Sequence, residues 1–496
     1  ASENPEEKDP FTSSIRDIEI VDQWCANVLA IRKRDSFWHS QIAAMLLACK
    51  ITPGAKKRAA KALAIDGENW RASSLLASKV SAEEGIEILK PVISRLGSDH
   101  EWQQCYLNRS GYSTMYFILA EKTLWLPGEG FYAAIYFVKT AMRIEPTDYP
   151  RDVRFLQMCA DRKEWLHYIE LLETIANSSN VLEEHALSEL MILCVFDMTQ
   201  TKQLPLMLRA ALHTDRVKFI VDAFQDCVEK LEARGDRARL CYIRYYYGRG
   251  LNALHNGSPK AIEQWRKAIE EGAGPDLLSS LISSIAPYYL QKAINAAAAH
   301  DEEAASINLD KIQTLLPEDV PESSVMLPPA IYIVRYHARK NDLVQAKLIA
   351  RDIVRKGIEI LTDDIEDNDL PAYKELLWLF IALDDKENVM AIRSLIAARY
   401  KESDSLSCEG ECGASWNIAD EMFWCQDCIN VKFENLCYGK LDETGFPVLF
   451  CNKTHELLHL PKIDSPQDGY VPIGEGVIPV DEWMQRIQRD YIDLVR

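Results

Sequence analysis

Residues 408–459 read Cys408-x3-Cys412-x12-Cys425-x2-Cys428-x8-Cys437-x13-Cys451-x3-His455-x3-His459. The chain holds 13 cysteines; six fall between Cys408 and Cys451, and the other seven are scattered over the first 400 residues. Two chemistries gather cysteines this way. Disulfide frameworks belong to small secreted domains in oxidising compartments. Metal sites in reducing compartments use short-spaced Cys and His pairs, whose thiolates and imidazoles fill tetrahedral positions. The pairs here are short, and histidines close the run. Neighbouring CxxC cysteines pair poorly with each other in a structural disulfide, yet reach one metal easily. The reading is zinc, with eight candidate ligands for two tetrahedral ions.

The interleaving resembles the ZZ-type zinc finger, a cross-braced module. The resemblance implies that the first and third ligand pairs hold one ion, and the second and fourth the other. It assigns Cys408, Cys412 and Cys437 to one site, with Cys425, Cys428 and His455 in the other. After Cys428 the ZZ pattern expects five residues, then Cys-x2-Cys and a tyrosine. This chain has Glu434-x2-Cys437-Tyr438. A carboxylate can ligate zinc, so Glu434 is a candidate for the fourth position of the first site, where the ZZ pattern has cysteine. For the second site the choice lies between Cys451 and His459. Cys451 is favoured, because Cys451-x3-His455 is a compact pair and Pro461 disturbs the segment after His459.

His455-Glu456-Leu457-Leu458-His459 also matches HExxH, which in metalloproteases places two histidines on one helix face with the glutamate as general base. That use needs a well-formed helix and a third ligand downstream. Pro461 stops any helix two residues after His459, little chain follows, and the upstream cysteines compete for the metal. Sulfur-rich closed sites are structural, whereas catalytic ones keep an open position. The expectation is a structural role and no enzyme activity. The rivals are a zinc peptidase through residues 455–459 and a ubiquitin-ligase-type adaptor through the zinc module, although RING ligand spacings differ from these.

At 496 residues the chain is too long for one ordinary core. Apolar content of 48% and charged content of 26% are those of a folded protein. A net charge of −19 argues against nucleic acid and against anionic membrane surfaces. The apolar run Leu376–Leu383 is far too short to span a bilayer, and the polar, acidic start is no signal peptide. The expected setting is reducing and cytoplasmic. Ala1 in place of Met fits a piece of something longer.

Upstream of the cysteines the pattern is all-α. Residues 1–13 read as a disordered lead. From Ser14, apolar residues recur at three and four spacings, and Gly and Pro are scarce for most of the next stretch. Small or apolar residues recur at relative positions 0, 4 and 7: Ala55/Ala59/Ala62, Gly85/Leu89/Val92, Ala134/Val138/Ala141, Tyr168/Leu172/Ile175, Ala261/Trp265/Ala268 and Ala346/Ala350/Ile353. Small side chains let one helix pass close to the next, and stacked pairs then share a core. Ile144-Glu145-Pro146 resembles the close of a tetratricopeptide repeat, and Tyr245-Tyr246-Tyr247-Gly248 with Gly257, Ala261, Trp265 and Ala268 resembles nearly a whole one. The expectation is a tetratricopeptide-like α-solenoid over 14–400, interrupted at 315–329 and 362–371. The module occupies 404–465. Residues 466–496 form an extended connector and a terminal amphipathic helix, with Trp483, Ile487, Tyr491 and Val495 on one face.

Asp9-Pro10-Phe11-Thr12-Ser13-Ser14-Ile15-Arg16, Phe37-Trp38-His39-Ser40-Gln41-Ile42-Ala43 and Ala62-Leu63-Ala64-Ile65-Asp66-Gly67-Glu68-Asn69-Trp70-Arg71-Ala72 occur in order before the Cys/His run. Together they resemble the C-terminal half of fungal NOD-like proteins of the NACHT or STAND class. The resemblance implies a sensing and scaffolding end that binds a protein or peptide ligand, with a nucleotide-switch module upstream of this chain. No phosphate loop, nucleophile elbow or dinucleotide-binding turn is present in the sequence itself.

Overall fold

The computed structural model describes residues 23, 27 and 35–493, apart from 129, 146–148, 178–185, 197–201, 256–257, 319, 322–324, 326, 364, 401–404, 411, 413–414, 442–450, 452–454 and 465. The lead expected at 1–13 lies outside them, as do Pro146, Gly257 and Val495. Residues 1–190 and 191–496 form two compact units.

The first unit holds α1 (Ser36–Ala48), α2 (Thr52–Ile65), α3 (Trp70–Lys79), α4 (Ala82–Gly97), α5 (His100–Gln104), α6 (Tyr106–Thr123), α7 (Gly130–Ile144), α8 (Tyr149–Asp161) and α9 (Trp165–Ala176). Helix α10 (Ala186–Phe196) runs across the boundary. The second unit continues with α11 (Gln203–His213), α12 (Val217–Arg234), α13 (Arg237–Leu254), α14 (Pro259–Glu270), α15 (Pro275–Ala298), α16 (Glu302–Gln313), α17 (Ala330–Arg339), α18 (Leu343–Leu361), α19 (Asp369–Ala382) and α20 (Lys386–Arg399). In both units helices pack mainly on their neighbours in sequence, α1 on α2, α6 on α7, α13 on α14 and α18 on α19. The recurring small positions are where they touch. Ala134, Val138 and Ala141 on α7 are buried, as are Ala261, Trp265 and Ala268 on α14; Ile353 on α18 is half-buried. At Gly248 on α13 an added Cβ would lie 2.3 Å from the Trp265 indole. That indole donates to Tyr245 O at 2.9 Å, so the glycine permits the crossing.

The turns between helices share one device. His300, Asn341 and Asp384 take positive φ, and Asp301, Asp342 and Asp385 follow as N-caps accepting from Ala304, Gln345 and Asn388 N–H. The left-handed residue reverses the chain, and the aspartate satisfies an orphan amide of the next helix. The two expected interruptions are present, but Pro371 falls in the first turn of α19, where its missing N–H costs nothing.

After α20 come short strands: β1 (Ser405–Ser407), β2 (Ser415–Asn417), β3 (Met422–Cys425), β4 (Lys432–Phe433), the short helix α21 (Asn435–Gly439), and β5 (Leu457–Leu460). Strands β4-β3-β5 form an antiparallel sheet, and β1 pairs with β2. Residues 466–479 are not an extended connector. They fold into a hairpin of β6 (Tyr470–Ile473) and β7 (Gly476–Pro479), turned at Gly474 with φ 59°, and β6 packs on α20. The terminal helix α22 (Val480–Gln488) continues as a π-helical turn over Arg489–Asp493 and returns to α18. Its expected face holds: Trp483, Ile487 and Tyr491 are buried, and Trp483 Nε1 donates to Asn388 Oδ1 at 2.8 Å. One core joins these parts. Val334, Ala350, Leu376, Phe380, Ile392 and Ile396 from the helices meet Met422, Trp424, Leu458, Leu460 and Trp483. Alternation on β3 and β5 turns Met422, Trp424, Leu458 and Leu460 inward and leaves Phe423 and His459 facing out.

Candidate metal centre

Two turns and a helix end bring the cysteines together. Cys425 closes β3, Cys428 follows in the turn, and His455 stands just before β5. Sγ of Cys425, Cys428 and Cys451 and a ring nitrogen of His455 all lie within 4.8 Å of one another. His455 Nδ1 is 3.6 Å from Cys425 Sγ, 3.2 Å from Cys428 Sγ and 3.6 Å from Cys451 Sγ, and Cys451 Sγ is 3.5 Å from Cys425 Sγ. A tetrahedral zinc with sulfur at about 2.3 Å and nitrogen at about 2.05 Å sets neighbouring ligand atoms about 3.5–3.8 Å apart. The four groups already span nearly that tetrahedron. Cys408, Cys412 and Cys437 form a second cluster by the same measure. Ligand pairs therefore alternate between clusters along the chain, which is cross-bracing. Cys408, Cys412, Cys425, Cys428, Cys437 and Cys451 are not joined in disulfides.

Backbone amides point at the sulfurs. Cys428 N–H donates to Cys425 Sγ at 3.2 Å, Gly410 N–H to Cys408 Sγ at 3.3 Å, and Glu434 N–H to Cys408 Sγ at 3.4 Å. Such bonds favour the thiolate, the form that binds metal. At Gly410 an added Cβ would sit 2.6 Å from Cys437 Sγ and 3.3 Å from Cys408 Sγ, so only glycine leaves room there. Ile429, fully buried, takes φ 65° directly after Cys428. A β-branched residue is strained in that region, and strain of this kind persists where surroundings over-determine it.

The protonation pattern of the Cys425 cluster is that of ligands sharing protons. Burial alone raises the Cys425 thiol, but hydrogen bonds from Cys428, Cys451 and His455 outweigh it and hold it well below the usual thiol range. Cys428 goes the other way, pushed up by its bonds to Cys425 and Cys451 and by burial. Burial lowers His455, yet the bond and charge of Cys425 prevail and raise it. A divalent cation would replace these shared protons.

Two sequence candidates fall outside the clusters. Glu434 contributes its amide to Cys408, while its carboxylate is not among the gathered ligand atoms. It is an N-terminal flank of α21. His459 lies on β5, hydrogen-bonds Glu421 Oε1 through Nε2 at 2.8 Å and stacks on Phe423. The HExxH segment is thus a turn and a strand, and its two histidines serve different partners.

What the sequence did not reveal is the shell around Cys425. Arg335 on α17, with a side chain 3% exposed, donates through Nε to Asp427 Oδ1 at 3.0 Å and also bonds Glu456 and Gln426. Arg339 reaches Asp427 and Glu456, at 3.4 and 3.3 Å. Tyr332 OH donates to Cys428 O at 3.3 Å, and Gln426 Nε2 donates to Asp384 Oδ1 at 3.0 Å. Buried Arg393 on α20 donates to the carbonyls of Ile418, Asp420 and Pro461, and burial pushes it down to about 10. Residues between and beside the ligands thus grip the helices. Only the contact spacing, far apart in sequence, connects them, so pattern reading had no signal for it.

The sequence matches no protein-family model and no curated protein. Among the described residues, no helix is long and apolar enough to cross a membrane.

Proposed function

We propose that this chain is a non-enzymatic interaction scaffold whose C-terminal ZZ-like module carries structural zinc. The observation that carries the reading is the closed Cys425/Cys428/Cys451/His455 tetrad, in which Cys425 and Cys428 are buried and each gathered group supplies one ligand atom. Four protein ligands leave no position for substrate, which is how structural zinc sites differ from catalytic ones. The module is suited to metal: among the described residues, the apolar partners buried with the thiols in its own small core are Val431, Phe433 and Leu441. A core that size gains its stability from bound ions.

The helices would serve recognition, as a tetratricopeptide-like array binding a protein or peptide. The resemblance to NOD-like proteins supports a cytoplasmic sensor half, downstream of a nucleotide switch. The test is metal content per chain after purification under reducing conditions. Two zinc equivalents are expected in the wild type, with one lost from Cys408→Ser and one from Cys425→Ser. A metal-free wild type, or peptide hydrolysis that tracks zinc content, would defeat the reading.

A further inference from the structure

A groove of about 420 Å³ opens between α14, α15 and α16 in the second unit, within the ~300–1,000 Å³ range of ligand clefts. Its wall is cationic in a chain of net charge −19. Arg266, Lys267, Lys292 and Lys311 line it against Glu263 and Glu270. Lys267 and Glu263 pair at 2.9 Å and cancel. Glu270 can answer at most one of the three cations that remain. Lys292 Nζ lies 4.5 Å over the Tyr288 ring and Lys311 Nζ 5.6 Å over the Tyr289 ring. An aromatic face orients an ammonium without neutralising it. Tyr289 is buried and Tyr288 half-buried, so the two rings form a fixed apolar floor between positive heads.

We propose that this groove binds an acidic peptide segment, its carboxylates on Lys292, Lys311 and Arg266 and an apolar side chain on the tyrosines. Fields are screened over about 10 Å in salt. A short carboxylate cluster therefore feels the local cations, whereas a long polyanion would meet the acidic remainder of the chain. The proposal rests on the scaffold reading only in taking the ligand to be a peptide that is held and not consumed.

The test uses the full chain and a fluorescein-labelled peptide of glutamates around one phenylalanine, read by anisotropy. Binding is expected, weakened about tenfold when glutamine replaces glutamate and about tenfold by the combined Lys292→Glu and Lys311→Glu changes. Both lysines are exposed, and circular dichroism checks that the fold persists. Lys462→Glu, in the C-terminal module, should leave binding unchanged. No binding, equal binding of the glutamine peptide, or a charge-reversed variant that binds like wild type overturns the proposal. So does displacement by inorganic phosphate beyond that by chloride of equal ionic strength, which would make the groove a phosphate site. Mass spectrometry of the recovered peptide separates the two readings: cleavage would end the non-enzymatic assignment and leave the groove standing.

Discussion

The two cysteine clusters use the same ligand chemistry and sit in different mechanical settings. The Cys425 cluster gathers four candidate ligands, and the residues beside them are gripped by α17 and α19 through Asp427, Gln426, Glu456 and the Cys428 carbonyl, while Arg393 on α20 holds the carbonyls of Ile418, Asp420 and Pro461. The Cys408 cluster has three gathered ligands, and its hydrogen bonds run within the module, from Gly410 and Glu434 to Cys408 Sγ and from Glu409 N–H to Lys432 O. The contrast teaches that cross-bracing does not make the sites equivalent. Both sets of thiols share the module's own small core, but the residues beside the Cys425 cluster are hydrogen-bonded to the helices, whereas the bonds named for the Cys408 cluster stay within the module.

The largest effect that would test this contrast is loss of the ion proposed for the Cys425 cluster. A structural zinc contributes on the order of 10–16 kcal/mol at pH 7, as much as a whole domain's net stability of about 5–15 kcal/mol. Cys425→Ser, or chelation, should release the β3–β5 sheet and also cost α17, α19 and α20 their slow hydrogen exchange. Loading requires thiolates and neutral imidazole, so affinity should rise with pH. Helices that stay protected in the metal-free variant would show that the site is not part of their core.

Arg335→Met comes next. It leaves Asp427, 3% exposed, as a buried charge whose remaining cation, Arg339, is 3.4 Å away. Breaking a buried pair costs about 3–5 kcal/mol, measurable by urea unfolding of the zinc-loaded protein. Adding Asp427→Asn should recover part of the loss, since the orphaned charge goes. Glu456, with its side chain 54% exposed, contributes little by itself.

Which of these parts could be read beforehand follows from the range of each interaction. The cysteine spacing announced the clusters because ligands of one ion sit a few residues apart. The positions 0, 4 and 7 announced buried helix faces because helix geometry repeats locally. Arg335 lies 92 residues from Asp427, and an arginine on a helix reads as a solvated charge until the fold delivers its partner. Glu434 shows a related limit of spacing, which places a residue near a site but does not say whether its side chain or its amide is used; here the amide bonds Cys408 Sγ. The hairpin at 470–479 was hidden by Pro472 and Pro479, which weaken a strand signal. Its pairing is carried by the Gly474 turn and by Val471, buried against the shared core.

On the Cys408 side a smaller loss is expected. Gly410→Ala forces a methyl to within 2.6 Å of Cys437 Sγ, and overpacking costs about 1–3 kcal/mol. Zinc content should fall by one equivalent while exchange in α17–α20 stays slow. Loss of protection there would show that the Cys408 site also supports the helices and would erase the contrast.

The smallest effect is the most pointed. His459 is half exposed, bonds Glu421 at 2.8 Å and lies 4.8 Å from the Phe423 ring, which itself stacks on Tyr438 at 3.7 Å. An exposed pair of this kind is worth about 0–1 kcal/mol. His459→Ala should therefore leave zinc content and urea midpoint nearly unchanged, whereas His455→Ala should cost an equivalent of metal. In a zinc peptidase both histidines of HExxH hold the ion, and either change would release it. The two variants weigh the HExxH spelling against the strand geometry directly, because on β5 the second histidine faces outward, one residue from the buried Leu458 and Leu460 that hold the sheet to the helices.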